Sequence, residues 1–283
     1  MIVLVSVLFG CATPTSNVGQ KTGNDNSQHK EMPIPEQFKD RVDQAFAFGK
    51  VLKIYDDIAW LGTDAVTAAG FTFDKVKQQT YVVEPISNDL NGIYQFAVLG
   101  KSSDGLRVYA IAKIRHESGM GHLIGVKLID PPVKPSDQDR WLYQAFFAAE
   151  NAPGMKFCNA IYNHVVLPFY KNGSLEYRVY FLMSTNKVDE VPIGGHILVR
   201  VGGDAKTILE VKPLAKSCMI ATGENQKRVV ALEFSDLSLD SPSAAQVFLM
   251  YRYAKPVYVI TKNGFLWAID SRGIRLLSTA VGK

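Results

Sequence analysis

The densest run of chemistry-bearing side chains is Ile114-Arg115-His116-Glu117-Ser118-Gly119. A carboxyl at Glu117 can protonate a glycosidic oxygen, provided that a sheltered cleft raises its pKa. His116 and His122 stand six residues apart around it, and Gly119 and Gly121 would let the loop curl. Two imidazoles and one carboxylate could then hold a metal ion, although Met120 occupies the place of a second zincin-type histidine. Cys158 and His164 have the residue types of a thiol–imidazole pair. In one strand, six residues at roughly 3.3 Å each hold them about 20 Å apart, too far to cooperate. Asp56 and Asp57 are adjacent on a helical stretch, so their carboxylates diverge into solvent.

The Ile-Arg-x-Glu-Ser pattern resembles the segment that carries the catalytic glutamate of soluble-type lytic transglycosylases, several of which are lipoproteins. The resemblance implies that Glu117 is the general acid of a peptidoglycan-cleaving glycosidase. Ala160-Ile161-Tyr162-Asn163 is similar to that family's downstream Ala-Tyr-Asn motif. The match covers about half a dozen residues, and the family's Gly-Leu-Met-Gln segment is missing. That family's domain is helical, whereas Glu117 follows a predicted strand, and a polar turn after a strand accounts for the same residues. Ser184-Thr185-Asn186-Lys187 and Lys21-Thr22-Gly23 resemble two motifs of penicillin-recognising enzymes. The serine follows a strand rather than opening a helix, and Lys-Thr-Gly precedes it in a polar tail. There is no Walker loop, dinucleotide fingerprint or Gly-x-Ser-x-Gly elbow, so no cofactor is expected.

A clearer signal lies at the N-terminus. Residues 1–9 are apolar except for Ser6 and run into Gly10 and Cys11. Leu8-Phe9-Gly10-Cys11 resembles the lipobox of bacterial lipoproteins, with 1–10 as the signal segment. The resemblance implies cleavage before Cys11, acyl chains such as palmitate on that cysteine, and a place in the bacterial cell envelope. Ala12 lacks the aspartate of inner-membrane retention, so an outer-membrane anchor facing the periplasm is expected. A positive n-region is absent. The alternative reading is a buried N-terminal strand ending in an ordinary cysteine. Residues 11–34 are polar and carry too little apolar surface to offset their ordering entropy, which predicts a flexible tether in which His29 is solvated. No run reaches the roughly 20 apolar residues that span a bilayer.

If lipid takes Cys11, Cys158 and Cys218 remain. An even remainder in an oxidising compartment predicts one disulfide, against the alternative of two packed free thiols. The net charge of +4 is spread along the chain without a basic cluster, which speaks against nucleic acid.

Residues 35–283 must position whatever site exists. Phe38, Val42, Ala45, Phe46 and then Leu52, Tyr55, Ile58 and Ala59 keep helical spacing after Pro35, with Gly49 expected to kink or end the helix. Beyond Tyr81 the period turns to two. Hairpins are predicted across 101–105, 171–174, 202–204 and 262–264, with strands at 122–130, stopped by Pro131-Pro132, and at 228–234. Helices are expected from Ser136 to Glu150 and from Ser243 to Ala254. The fold class is therefore α+β, an antiparallel sheet built from successive hairpins with a few packed helices. One body is expected, with a possible sub-boundary at 151–155. The function expected is a membrane-anchored binding or scaffolding module whose partner is another envelope protein or peptidoglycan, with the glycosidase as the alternative.

Overall fold

The computed structural model describes residues 3–6, 31–87, 89–187, 189–215, 217–222 and 229–279. In chain order the elements are β1 (Val3–Ser6), α1 (Glu36–Ala68), β2 (Lys77–Pro85), β3 (Ile93–Ser102), β4 (Gly105–Glu117) and β5 (Met120–Val133). Then come α2 (Asp137–Glu150), β6 (Ile161–Lys171), β7 (Ser174–Ser184), β8 (Glu190–Pro192), β9 (Ile197–Gly202), β10 (Ile208–Pro213) and β11 (Ile220–Thr222). The chain closes with β12 (Val229–Asp236), α3 (Ala244–Tyr253), β13 (Val257–Thr261), β14 (Leu266–Asp270) and β15 (Gly273–Ser278). The fold is α+β, with largely antiparallel sheets built from successive strands.

The chain forms two compact units, Met1–Gly49 with Gly223–Lys283, and Lys50–Thr222. The division falls inside α1, not near residue 151. Asn151–Gly154 ends α2 within the second unit, where one apolar core joins Leu142, Ala145 and Phe146 before the break to Val166, Val179 and Val199 after it.

In the second unit β2-β3-β4-β5 form one antiparallel sheet and β10-β9-β7-β6 another, while β8 and β11 pair separately. The β6–β7 hairpin turns at Asn172 (φ +50°) and Gly173 (φ +78°), the left-handed pair that a two-residue turn demands. Helix α2 starts from a capping box in which the Ser136 hydroxyl accepts the Asp139 N–H at 3.0 Å and the Asp139 carboxylate accepts the Ser136 N–H at 3.1 Å. The other face of the first sheet lies against the later turns of α1. Tyr55 meets Tyr94 edge-on at 5.7 Å, and a Cβ on Gly62 would come within 2.2 Å of the Phe96 ring.

In the first unit the sheet order is β1-β12-β13-β14-β15. Here the structure departs from a hairpin succession. β12 and β13 pair in parallel through α3, and β1 adds parallel to β12. The unit packs around Trp267, which Phe38 of α1 meets edge-on at 6.1 Å. Gly49 does not end α1. It sits where a Cβ would lie 2.3 Å from Val247 Cβ, so its missing side chain lets α1 and α3 touch.

Candidate functional site

The Glu117 segment forms a hairpin tip rather than a cleft. Ser118 (φ +52°) and Gly119 (φ +81°) make the turn between β4 and β5, Glu117 pairs with Met120, and Glu117 is exposed. Nothing shelters its carboxyl as a general acid requires. Nor does the tip gather ligands. His116 pairs with Gly121 and Arg115 with His122, so the two imidazoles point to opposite faces of the sheet. His122 is exposed, while His116 is buried, its Nδ1 lacks a hydrogen-bond partner, and burial holds its pKa below the ordinary 6.5 despite nearby Asp57. Among the described residues no group of three or more His, Cys, Asp or Glu side chains could hold a metal ion.

Cys158 precedes β6 instead of lying within a strand, and it is bonded to Cys218 with the α-carbons 5.7 Å apart. Its N–H donates to the Tyr162 hydroxyl at 3.0 Å, which in turn donates to the Gly195 carbonyl at 3.1 Å. His164 is structural. Its ring stacks on Tyr81 at 4.0 Å and meets Phe146 at 4.1 Å, and Nε2 lies 3.1 Å from both the Thr80 hydroxyl and the Tyr81 carbonyl. Burial lowers its pKa to about 4, so it is neutral at physiological pH. Lys187 is held by Glu190 at 2.7 Å, well engaged away from any nucleophilic role beside Ser184. Cys11, the lipobox, His29, Lys21-Thr22-Gly23 and the tether up to residue 30 lie outside the described residues.

Three features were not singled out by sequence reasoning. The first is a carboxyl pair formed by Glu84 on β2 and Asp139 in the first turn of α2. Glu84 Oε1 and Asp139 Oδ1 are both buried and take no hydrogen bond from any donor group of the chain, so a proton held between them satisfies both. Burial, followed by the Asp139 charge and the mutual hydrogen bond, raises the Glu84 pKa from 4.5 to about 7. The folded state therefore binds the proton more tightly than the unfolded chain does. The stabilisation is complete below pH 4.5 and is lost as the pH rises through 7. Glu84→Gln keeps a donor facing Asp139 at every pH. It is expected to flatten the stability profile between pH 5 and 8 and to add about 1 kcal/mol at pH 8, after discounting for partial exposure. Urea unfolding across that range tests this, and parallel profiles for the two proteins would refute it.

The second feature is an open hollow of about 480 Å³ in the second unit, where α2, the β3–β4 hairpin and the β9–β10 turn supply Arg140, Lys101 and Lys206. The third is the edge strand β5, which runs for 14 residues with one side of its backbone ladder unpaired among the described residues. Leu123, Val126 and Leu128 pair with the buried Ile114, Ala112 and Ala110 of β4. They thus carry an apolar row outward to the edge, where they are 49%, 38% and 38% exposed. Met120, Ile124 and Val133 are more exposed than Val126 and Leu128. Pro131 and Pro132 do not stop the strand, because an edge strand tolerates residues that donate nothing outward.

No family model matches this chain, and no curated protein or solved structure matches it.

Proposed function

We propose that the chain is a lipid-anchored module of the bacterial cell envelope, held on the outer membrane through Cys11 and facing the periplasm, which binds another envelope protein by accepting an extended strand along β5. The anchor is supported by the lipobox-type residues Leu8 to Cys11 with a polar stretch behind them. On this reading β1 belongs to the precursor. The observation that carries the binding role is β5. Along Leu123–Leu128 the edge carries apolar side chains with only Lys127 charged, an aggregation hazard in an isolated protein, and the prolines that blunt such edges, Pro131 and Pro132, stand only at its far end. Strand addition satisfies the open ladder, and side chains on the Leu123–Leu128 row confer selectivity.

Two measurements in the native host separate the parts of the proposal. Wild-type protein is expected to incorporate labelled fatty acid and Cys11→Ala to incorporate none, whereas equal labelling would remove the anchor. A photo-crosslinking residue at Ile124 is expected to join a distinct envelope protein, and the adduct should disappear when Val126→Pro blocks the ladder. Crosslinks only between copies of the chain, or adducts unaffected by Val126→Pro, would overturn the β5 role.

A further inference from the structure

The hollow on α2 gathers features that the fold does not require. Arg140 of α2, Lys101 at the end of β3 and Lys206 beside the β9–β10 turn converge from three separate elements, and no carboxylate among the described residues lines the space. Two carboxylates of the same neighbourhood, Asp204 and Asp104, are committed elsewhere, whereas the exposed Asp137 holds Arg140 itself. Asp204 accepts the N–H groups of Lys206 and Thr207 and the Thr207 hydroxyl, Asp104 is taken by Ser102 and Arg107, and Asp137 pairs with Arg140 at 2.9 Å from an exposed position. Lys101 stands directly opposite Lys77 on β2, a like-charge cross-strand pair that destabilises a sheet unless an anion lies nearby.

The backbone at this corner is also strained. Gln78, which lines the hollow, has φ +43° beside a register shift in β2, and Ala205, next to Lys206, has φ +54°. Neither is a glycine, and such strained conformations collect at binding sites. The Gln78 carbonyl is fixed by the Tyr143 hydroxyl at 2.8 Å. The rings of Tyr143 and Phe147, 4.6 Å apart, give the space an apolar wall. Beside them Gln144 also lines the hollow, its Oε1 buried without a hydrogen-bond donor among the described residues.

We propose that this hollow binds a phosphate carried on a hydroxylated, sugar-sized body. The cations take the phosphate, the Arg140 guanidinium through the N–H donors that Asp137 leaves it, and the body lies against Phe147 within reach of Gln144. The volume of about 480 Å³ suits a ligand of that size. The site is separate from β5 and does not depend on the proposed function above.

Calorimetric titration of the full chain in neutral detergent tests the assignment, with glucose 6-phosphate, inorganic phosphate and glucose as probes. Glucose 6-phosphate is expected to bind about tenfold or more tightly than either of the others, because both halves of the site are then occupied. Lys101→Ala/Arg140→Ala/Lys206→Ala should abolish binding of both phosphates, and Phe147→Ala should weaken glucose 6-phosphate alone. Phosphatidylcholine vesicles with and without phosphatidylglycerol, mixed with the full chain carrying Cys11→Ala so that no acyl anchor holds it, form the second arm. Flotation with phosphatidylglycerol that the triple variant loses assigns the phosphate to a lipid headgroup. Flotation unchanged by the triple variant assigns membrane binding elsewhere and leaves the phosphate source a free ligand. Absence of binding by both phosphate probes, or equal binding by wild type and the triple variant, overturns the proposal. Circular dichroism of the triple variant, whose three side chains are all exposed, checks that the fold is kept.

Discussion

Replacing both Cys158 and Cys218 with serine is expected to lower the unfolding free energy by about 4 kcal/mol. The bond closes a loop with a sequence separation of 60 residues, and opening it returns that loop's freedom to the unfolded chain. The native state also loses a local clasp. β11 pairs only with β8, three residues against three, and a two-stranded pairing of that size has little stability of its own. Close contact at Gly194 and Gly195 depends on the same clasp. A Cβ on Gly194 would lie 2.0 Å from the Ser217 carbonyl, and one on Gly195 would lie 2.9 Å from Cys158 Sγ. Urea unfolding without reductant should show the double variant unfolding well before wild type, and reductant should bring wild type to the same midpoint. Unchanged midpoints under both conditions would show that the bond does not stabilise the unit.

Trp267→Ala is the corresponding lesion in the first unit, with an expected loss of about 3–5 kcal/mol. The side chain is fully buried between Phe38 and Phe265, and its Nε1 donates to the Thr261 hydroxyl at 3.0 Å. Removal leaves a cavity on the α1 side and deprives the buried Thr261 oxygen of a donor. Trp267→Phe refills much of the space and loses only the donor, so about 1–2 kcal/mol should separate it from wild type. Thermal unfolding followed by near-ultraviolet circular dichroism distinguishes the two variants. A loss below about 1 kcal/mol for Trp267→Ala would contradict the core described.

Local patterns carried most of the elements. Alternation from Val108 to Ile114, Asn172-Gly173 and the Ser136 cap each act within a few residues, and β4, the β6–β7 turn and α2 lie where those signals place them. Where the outcome turned on distant packing, sequence was silent or misled. Gly49 is a helix breaker by propensity, yet the close approach of Val247, about two hundred residues later in the chain, makes it the residue that α1 needs there. Asn151-Ala152-Pro153-Gly154 ends a helix strongly, but the Leu142 and Val166 side chains on either side share one core, so no unit boundary follows. The parallel β12–β13 pairing was hidden because α3 reads as a helix whatever strands flank it. Of the site residues, Glu117 stands out through its neighbours in sequence, yet it is the last residue of β4, exposed beside the Ser118-Gly119 turn. Glu84 and Asp139 meet across 55 residues of chain, and Lys101, Arg140 and Lys206 converge from three elements, arrangements that leave no trace in local spacing.

The first unit is discontinuous in the chain, since Lys50–Thr222 is inserted between its two parts. During synthesis, which proceeds from the N-terminus, every residue of the second unit is available before the first strand of the β12–β15 run has appeared. Phe38, Val42 and Ala45 at the start of α1 then wait with their apolar faces uncovered until Phe265 and Trp267 arrive. The order of assembly is thus written into the connectivity. The inserted unit can complete itself early, while the discontinuous unit closes last. That interval is where a holding chaperone would act, and C-terminal truncation before Phe265 should strand the chain in it.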